Sequence, residues 1–227
     1  MTAAALSDAE RTFVGQLWQR DGLYEHASVA SFAVFLLQAM QLGAPPTMLR
    51  RTIEAMDDEV RHAILCFRLA NRFLGTSRQP GRFVRPLGSR DPSDEGSILE
   101  AVIGEACVTE TISVAQAAEA WARAEDHEVR FCLATIVAEE RRHSELAWDF
   151  VAWLLATRPH LRQIAAAAFT RAFREVTVQD DAGWMVAAER FGHLPAVERN
   201  RIRGETIERE LRPRLSTLGI DDRAAAA

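Results

Sequence analysis

Glu59-Val60-Arg61-His62 and Glu140-Arg141-Arg142-His143 are two copies of one pattern, Glu-x-Arg-His, and an acid precedes each copy, Asp58 and Glu139. Residues three apart on a helix point the same way, so each copy aims one carboxylate and one imidazole at a common point. One such pair is half of a dinuclear metal site, and the repeat supplies the other half.

Further carboxylates are expected about one helix and one turn upstream, where an antiparallel neighbour reaches the same depth. Glu25 lies 34 residues before Glu59, and Glu105 lies 35 before Glu140. The chain therefore reads as two similar helical hairpins, which together offer Glu25, Glu59, Glu105, Glu140, His62 and His143. Accidental Glu-x-x-His matches occur in Glu-rich helical chains. Here chance must also account for the shared Arg, the shared preceding acid and the matched upstream spacings. Four carboxylates neutralise two divalent cations, and two neutral imidazoles add ligands without adding charge. Oxygen and imidazole donors without thiolate fit iron or manganese and argue against structural zinc. Two Fe ions are the default, with Fe/Mn and Mn/Mn pairs left open.

Asp58 and Glu139 precede His62 and His143 by four residues, and each can approach the far nitrogen of a neighbouring imidazole. Such carboxylates fix the tautomer and raise ligand basicity. Arg61 and Arg142 are placed to pair with them; solvent-facing salt bridges are the plainer alternative.

The elements that must carry these residues are all helical. Ser7-x-x-Glu10 is a capping-box pattern for a short helix to about Arg20, and Asp21 is a candidate cap for a second one that carries Glu25 to the Gly43-Ala44-Pro45-Pro46 stop. The next helix runs from about Pro46 to Leu74 and ends at Gly75. Residues 75–93 hold three Gly and three Pro and cannot be helical. That segment can stretch about 60 Å, more than the roughly 42 Å of the helix before it, so it can return along the whole bundle. A third helix from about Asp94 to Arg123 places Ile98, Val102, Glu105, Thr109 and Ile112 on one stripe. A fourth, from about Asp126 to Thr157, does the same for Ile136, Glu140, His143 and Ala147. Acids on an apolar stripe cost several kcal/mol unless paired or metal-bound. Glu110 lies about 140° around an ideal helix from Glu105 and reads as peripheral. His26 points about 100° away from Glu25 and reads as no ligand.

Residues 1–157 are thus expected to form one four-helix domain. Residues 158–227 form a helical extension, Leu161 to Val176 and Pro195 to Leu218, which either packs on the bundle or mediates self-association as a homodimer.

Composition narrows the function classes. With 227 residues, 48% of them hydrophobic, the chain can bury one substantial core. Its net charge of -5 argues against general nucleic-acid binding. All 27 basic residues are Arg, which excludes Schiff-base catalysis by Lys. Cys66, Cys107 and Cys132 lack Cys-x-x-Cys spacing and read as reduced core thiols of a cytoplasmic protein. No basic n-region precedes an apolar run at the N-terminus, and no stretch approaches 18 uninterrupted apolar residues, so neither secretion nor membrane spanning is expected.

With both Asp/Glu-Glu-x-Arg-His motifs quoted, the sequence resembles the ferritin-like superfamily of carboxylate-bridged diiron proteins over about residues 21–157. The fuller signature resembles its oxygen-activating branch, which includes soluble diiron monooxygenases and acyl-carrier-protein desaturases. The pattern Glu, Glu-x-x-His, Glu, Glu-x-x-His is the known site of that fold. The resemblance implies an all-α, ferritin-like four-helix bundle with a long crossover between helices two and three and additional N- and C-terminal helices. It also implies an enzyme that uses O2 or peroxide and an external electron donor to hydroxylate, N-oxygenate or desaturate a small organic substrate. Thr109, one turn after Glu105, corresponds to a Thr beside the oxygen-binding face of soluble diiron monooxygenases and is a candidate for proton delivery. A hydroxyl bonded to its own helix backbone is the alternative. Iron storage or peroxide scavenging is the reading from another class; ferritins usually lack the second His, and classical rubrerythrins carry a rubredoxin module that this chain lacks. A ferritin-like tRNA hydroxylase is a further alternative, for which Arg78, Arg82, Arg85 and Arg90 speak and the acidic net charge does not.

Overall fold

Ser7 opens the first helix as the sequence pattern demands: its hydroxyl accepts from the Glu10 backbone N–H, and the Glu10 carboxylate accepts from the Ser7 N–H. The helix, α1, then continues without a break over Asp8–Leu42, where two helices were expected. Asp21 does not cap. Its carboxylate accepts from His193 Nε2 at 2.8 Å and from the Arg20 guanidinium, so nothing competes for the helix backbone there. Gly43, at φ 77°, closes α1 in the left-handed conformation that a Cβ disfavours.

The computed structural model describes residues 6–84, 92–174 and 183–220. Among them the chain is all-α, with no strand. Helix α2 spans Pro46–Leu74, with Pro at its first position and Gly75 at its end, as expected. The third rod, α3, is built of three consecutive segments: α-helical Glu95–Ala101, π-helical Val102–Glu110 and α-helical Thr111–Arg123. Helix α4 spans His127–Thr157.

Contacts at the two ends fix the directions of the four rods. At one end Arg158, just past α4, donates to Leu42 O of α1 and to Glu95 of α3, and Gln38 and Gln41 of α1 donate to Pro92 O and Ser93 O. At the other end Arg72 of α2 meets Asp126, which opens α4. Helix α1 therefore ends where α3 begins and α4 ends, and α2 and α3 run parallel. Helix α2 thus ends at the opposite end of the bundle from the start of α3; residues 85–91 of the connection, which include Arg85 and Arg90, lie outside the described residues.

Asp126 joins two tasks. Its carboxylate caps α4 by accepting from the Glu128 and Val129 N–H groups and forms a two-pronged ion pair with Arg72 at 3.0 and 2.7 Å. Asp126→Ala is expected to cost about 2–3 kcal/mol in urea unfolding, because a cap and a partly buried charge partner go together.

The C-terminal part packs on the bundle. The Trp18 indole donates to Phe191 O at 3.0 Å, Phe73 meets Phe191 edge-on, and Trp148 stacks on Phe169. Helix α5 covers Arg162–Arg174. Helix α6 covers Ala196–Thr206 and runs on through a π segment, Ile207–Leu211, into Arg212–Thr217. The widened turn lies just before Pro213, where a regular helix would set the ring against a carbonyl four residues back. A short 3-10 helix, Val186–Phe191, was not legible from the sequence. Cys66, Cys107 and Cys132 are buried free thiols. No helix among the described residues is long and apolar enough to cross a membrane.

Candidate metal centre

Glu25 enters the site because α1 and α2 approach closely one turn before it. A Cβ on Gly22 would lie 2.7 Å from the Phe67 ring, so only glycine allows this spacing. On α2, the buried stripe Ala55, Asp58, Glu59, His62, Cys66 and Leu69 carries two acids and an imidazole into the interior, and α4 answers with Glu140 and His143.

The two Glu-x-Arg-His motifs meet almost symmetrically. Glu140 Oε1 lies 3.0 Å from His62 Nδ1, and Glu140 Oε2 lies 3.1 Å from His143 Nδ1. Glu59 Oε1 lies 3.2 Å from His143 Nδ1, and Glu59 Oε2 lies 3.9 Å from His62 Nδ1. Each of these carboxylates thus spans both imidazoles, whose ring centroids are 6.0 Å apart. Glu25 Oε2 flanks His62 Nδ1 at 3.6 Å.

The far nitrogens are held as the sequence spacing suggested, with each acid serving the other helix. His62 Nε2 lies 2.9 Å from Glu139 Oε2, and His143 Nε2 lies 3.1 Å from Asp58 Oδ2. Arg61 pairs with Glu139 and Asp58, and Arg142 donates to Asp58 at 2.9 Å. Burial pulls the Asp58 carboxyl up, but His143 and Arg142 outweigh it and hold the group below the usual carboxylate range. An acceptor at each Nε2 fixes a proton there, so that once a cation displaces the Nδ1 proton each Nδ1 lone pair would face the cluster. Asp58→Asn and Glu139→Gln are each expected to weaken metal binding by about 10- to 100-fold, measured by competition with a chelator.

The third-helix acid is not the one expected. Glu105 is exposed, whereas half-buried Glu110 lies beside Glu140, Glu59 and His143. Desolvation and the neighbouring charges of Glu140 and Glu59 drive the Glu110 carboxyl well above its usual range. The cause is the π segment. The buried pairs Ile98/Leu99, Val102/Ile103, Cys107/Val108 and Thr111/Ile112 step by four, five and four residues. The step of five is one residue too long for an α-helix to keep on one face, and the extra residue rotates Glu105 outward and Glu110 inward. That spacing was the available signal for Glu110.

Thr109 is rotated outward with Glu105. It is exposed, and its hydroxyl donates to Gly104 O at 2.9 Å, so the structure places it on the helix backbone and not at the cluster. Gly104 serves no close packing, for a Cβ there would meet nothing within 4 Å.

The remaining protonation pattern follows from crowding four acids around two imidazoles. Burial opposes charge on His62, but Glu140 and Glu25 carry its pKa up to about 11. Burial likewise opposes charge on His143, and Glu140 and Glu59 carry it to about 10. Glu25, desolvated and repelled by Glu140 and Glu59, rises to about 8, and Glu140, despite burial, is drawn down to about 2 by His143 and His62.

Donor atoms of Glu25, Glu59, His62 and Glu140 all lie within 4.8 Å of one another, and this cluster could hold a metal ion. Two buried atoms in it, Glu59 Oε2 and His62 Nδ1, have no aligned hydrogen-bond partner. Orphaned donor atoms of a carboxylate and an imidazole, aimed at one point, are what a cation would satisfy.

Beside the cluster, a cavity of about 700 Å³ opens between α1 and α3 and reaches Glu110 and His143. Phe32 meets the His143 ring edge-on at 5.1 Å, and Phe83 from the crossover segment reaches α1 at His26. Compared with known proteins, the chain matches no family model, no curated protein and no solved structure.

Proposed function

We propose that this protein is a dinuclear-metal oxidoreductase of the ferritin-like, carboxylate-bridged type, which uses O2 to oxidise a small organic substrate. The observation that carries the reading is that Glu59 and Glu140 each span both imidazole Nδ1 atoms, a placement suited to carboxylates shared by two cations. Glu25 and His62 would complete one cation's protein ligands, and Glu110 and His143 the other's. Four carboxylates balance two divalent cations, so the loaded cluster is neutral and tolerable in a dry interior.

When bound, iron or manganese at such a site supplies redox chemistry toward oxygen or peroxide. The chain's own residues supply the rest. Glu139 and Asp58 hold the imidazole rings in place and retain the Nε2 protons. Phe32 and the apolar walls limit water at the His143 side. The cavity gives an organic molecule access to the Glu110 edge, a feature that favours substrate oxidation over iron storage or peroxide removal. Electrons come from an external donor.

Two measurements test the reading. Protein produced with excess iron should carry about two metal ions per chain. Once chemically reduced, it should consume O2 faster than His62→Ala. A metal content far below one per chain, or oxygen consumption indifferent to His62→Ala, removes the proposal.

A further inference from the structure

The two halves of the cluster differ in what their donor atoms already do. On the His62 side, Glu59 Oε2 and His62 Nδ1 are buried and lack an aligned hydrogen-bond partner, and donors of Glu25, Glu59, His62 and Glu140 gather within 4.8 Å of one another. On the other side, His143 Nδ1 lies as close to its carboxylates, but its hydrogen bond with Glu140 Oε2 is made, at 3.1 Å. A cation there must displace a bond already formed, whereas at His62 it satisfies atoms that have none.

The two sides also differ in how they are reached. An opening of about 240 Å³ lies between α1 and α3, toward the start of α1 and the end of α3, and Glu25 lines it together with Asp21, Ser113, Gln116 and His193. It shares no lining residue with the cavity of about 700 Å³, which touches the cluster at Glu110 and His143. Of the three acids around His62, Glu25 has the most exposed side chain, 18% against 2% for Glu59 and 9% for Glu140. Carboxylate, hydroxyl, amide and imidazole groups around the opening suit a hydrated divalent cation. At His143 the larger cavity is walled by Phe32, which meets that ring edge-on.

We infer, resting on the proposed function, that the centre assembles in a fixed order: a first divalent cation enters beside Glu25 and is held by Glu25, Glu59, His62 and Glu140, and a second then completes the pair at Glu110 and His143. A chain that holds one cation is therefore a defined intermediate. Two different metals supplied in sequence give one mixed pair and not a scrambled population.

The test is titration of the metal-free protein with cobalt(II), followed by its visible absorption, with bound metal measured after gel filtration. Wild type is expected to bind in two steps, the first about tenfold or more tighter than the second. Glu25→Gln should weaken the first step by more than about tenfold, whereas Glu110→Ala should spare it. Ala117→Trp, which fills the opening, should slow uptake of the first ion by about tenfold at unchanged final content, and Ala30→Trp, which fills the larger cavity, should not slow it. Two ions bound in a single step, a first step indifferent to Glu25→Gln, or uptake slowed by Ala30→Trp and not by Ala117→Trp overturns the ordered assembly and leaves the centre standing. Wild-type protein that takes up far less than one cobalt per chain strikes the proposed centre itself, so the two failures are distinguishable.

Discussion

Glu110→Ala should leave the protein with about one tightly held metal ion per chain, weakening the site on the His143 side by more than about 100-fold, while Glu105→Ala changes metal binding by less than about twofold. Metal analysis after dialysis against a weak chelator reads both. The contrast is large because Glu110 lies within the field of Glu140, Glu59 and His143, whereas Glu105 faces the open cavity. A second readout separates ligation from simple packing. In the metal-free protein Glu110 is a desolvated acid beside two others, so its removal should leave the melting temperature unchanged or raise it. In the loaded protein the same change should lower it. A fall in both states would mean that Glu110 is structural, and metal loss in Glu105→Ala would restore the acid first expected from the sequence.

Metal uptake at pH 7 should release about three to four protons per chain, and the apparent affinity for the metal pair should drop by about 1000- to 10,000-fold per pH unit below pH 8. The groups responsible are His62 at about 11, His143 at about 10, Glu25 at about 8, and Glu110, which is raised well above the usual range. All hold protons at neutral pH in the metal-free site, and a cation must displace them. Calorimetry in buffers of different ionisation enthalpy counts the protons; release of fewer than one per metal would contradict the protonation pattern.

The same groups set the pH dependence of the metal-free fold. The raised His62 and His143 pKa values stabilise it fully below the unfolded value near 6.5, and this contribution is lost as pH rises through about 10 and 11. Glu25, raised from 4.5 to about 8, acts in the same direction and weakens the fold as pH climbs between those values. Glu140, depressed to about 2, adds stability above 4.5 that disappears as pH falls through 2. From these groups, metal-free stability is expected to peak near pH 4.5, to fall above it as the Glu25 contribution is lost and to fall more steeply past about 6.5 as the two histidines add to the loss, whereas the loaded protein should keep its stability to higher pH. Thermal melts of both forms across pH check this.

Most of the site was legible because helical spacing is a local property. Glu59, His62, Glu140 and His143 needed only a period of 3.6 and the repeat of one motif. The crossed service of Asp58 to His143 and of Glu139 to His62 followed from two such helices meeting antiparallel at one depth. Glu25 followed from hairpin length, and the structure brings it beside His62. The same hairpin arithmetic misplaced the partner on α3, since it assumed an unbroken α-helix through residues 102–110. Asp21 misled for a related reason: a good capping residue stays inside a helix when a distant group, here His193, takes its carboxylate.

The sequence alone determined an all-α chain, its two Glu-x-Arg-His halves, the α2 and α4 boundaries and the long crossover, since caps, prolines and apolar periodicity act within a few residues. Tertiary structure decided which α3 acid faces the cluster, that α1 is one rod, and where the cavity opens. A π turn differs from an α turn by a single residue, and only packing of the buried pairs on both sides of it selects that register; likewise, a void exists only between surfaces from several rods, which no single stretch of sequence encodes.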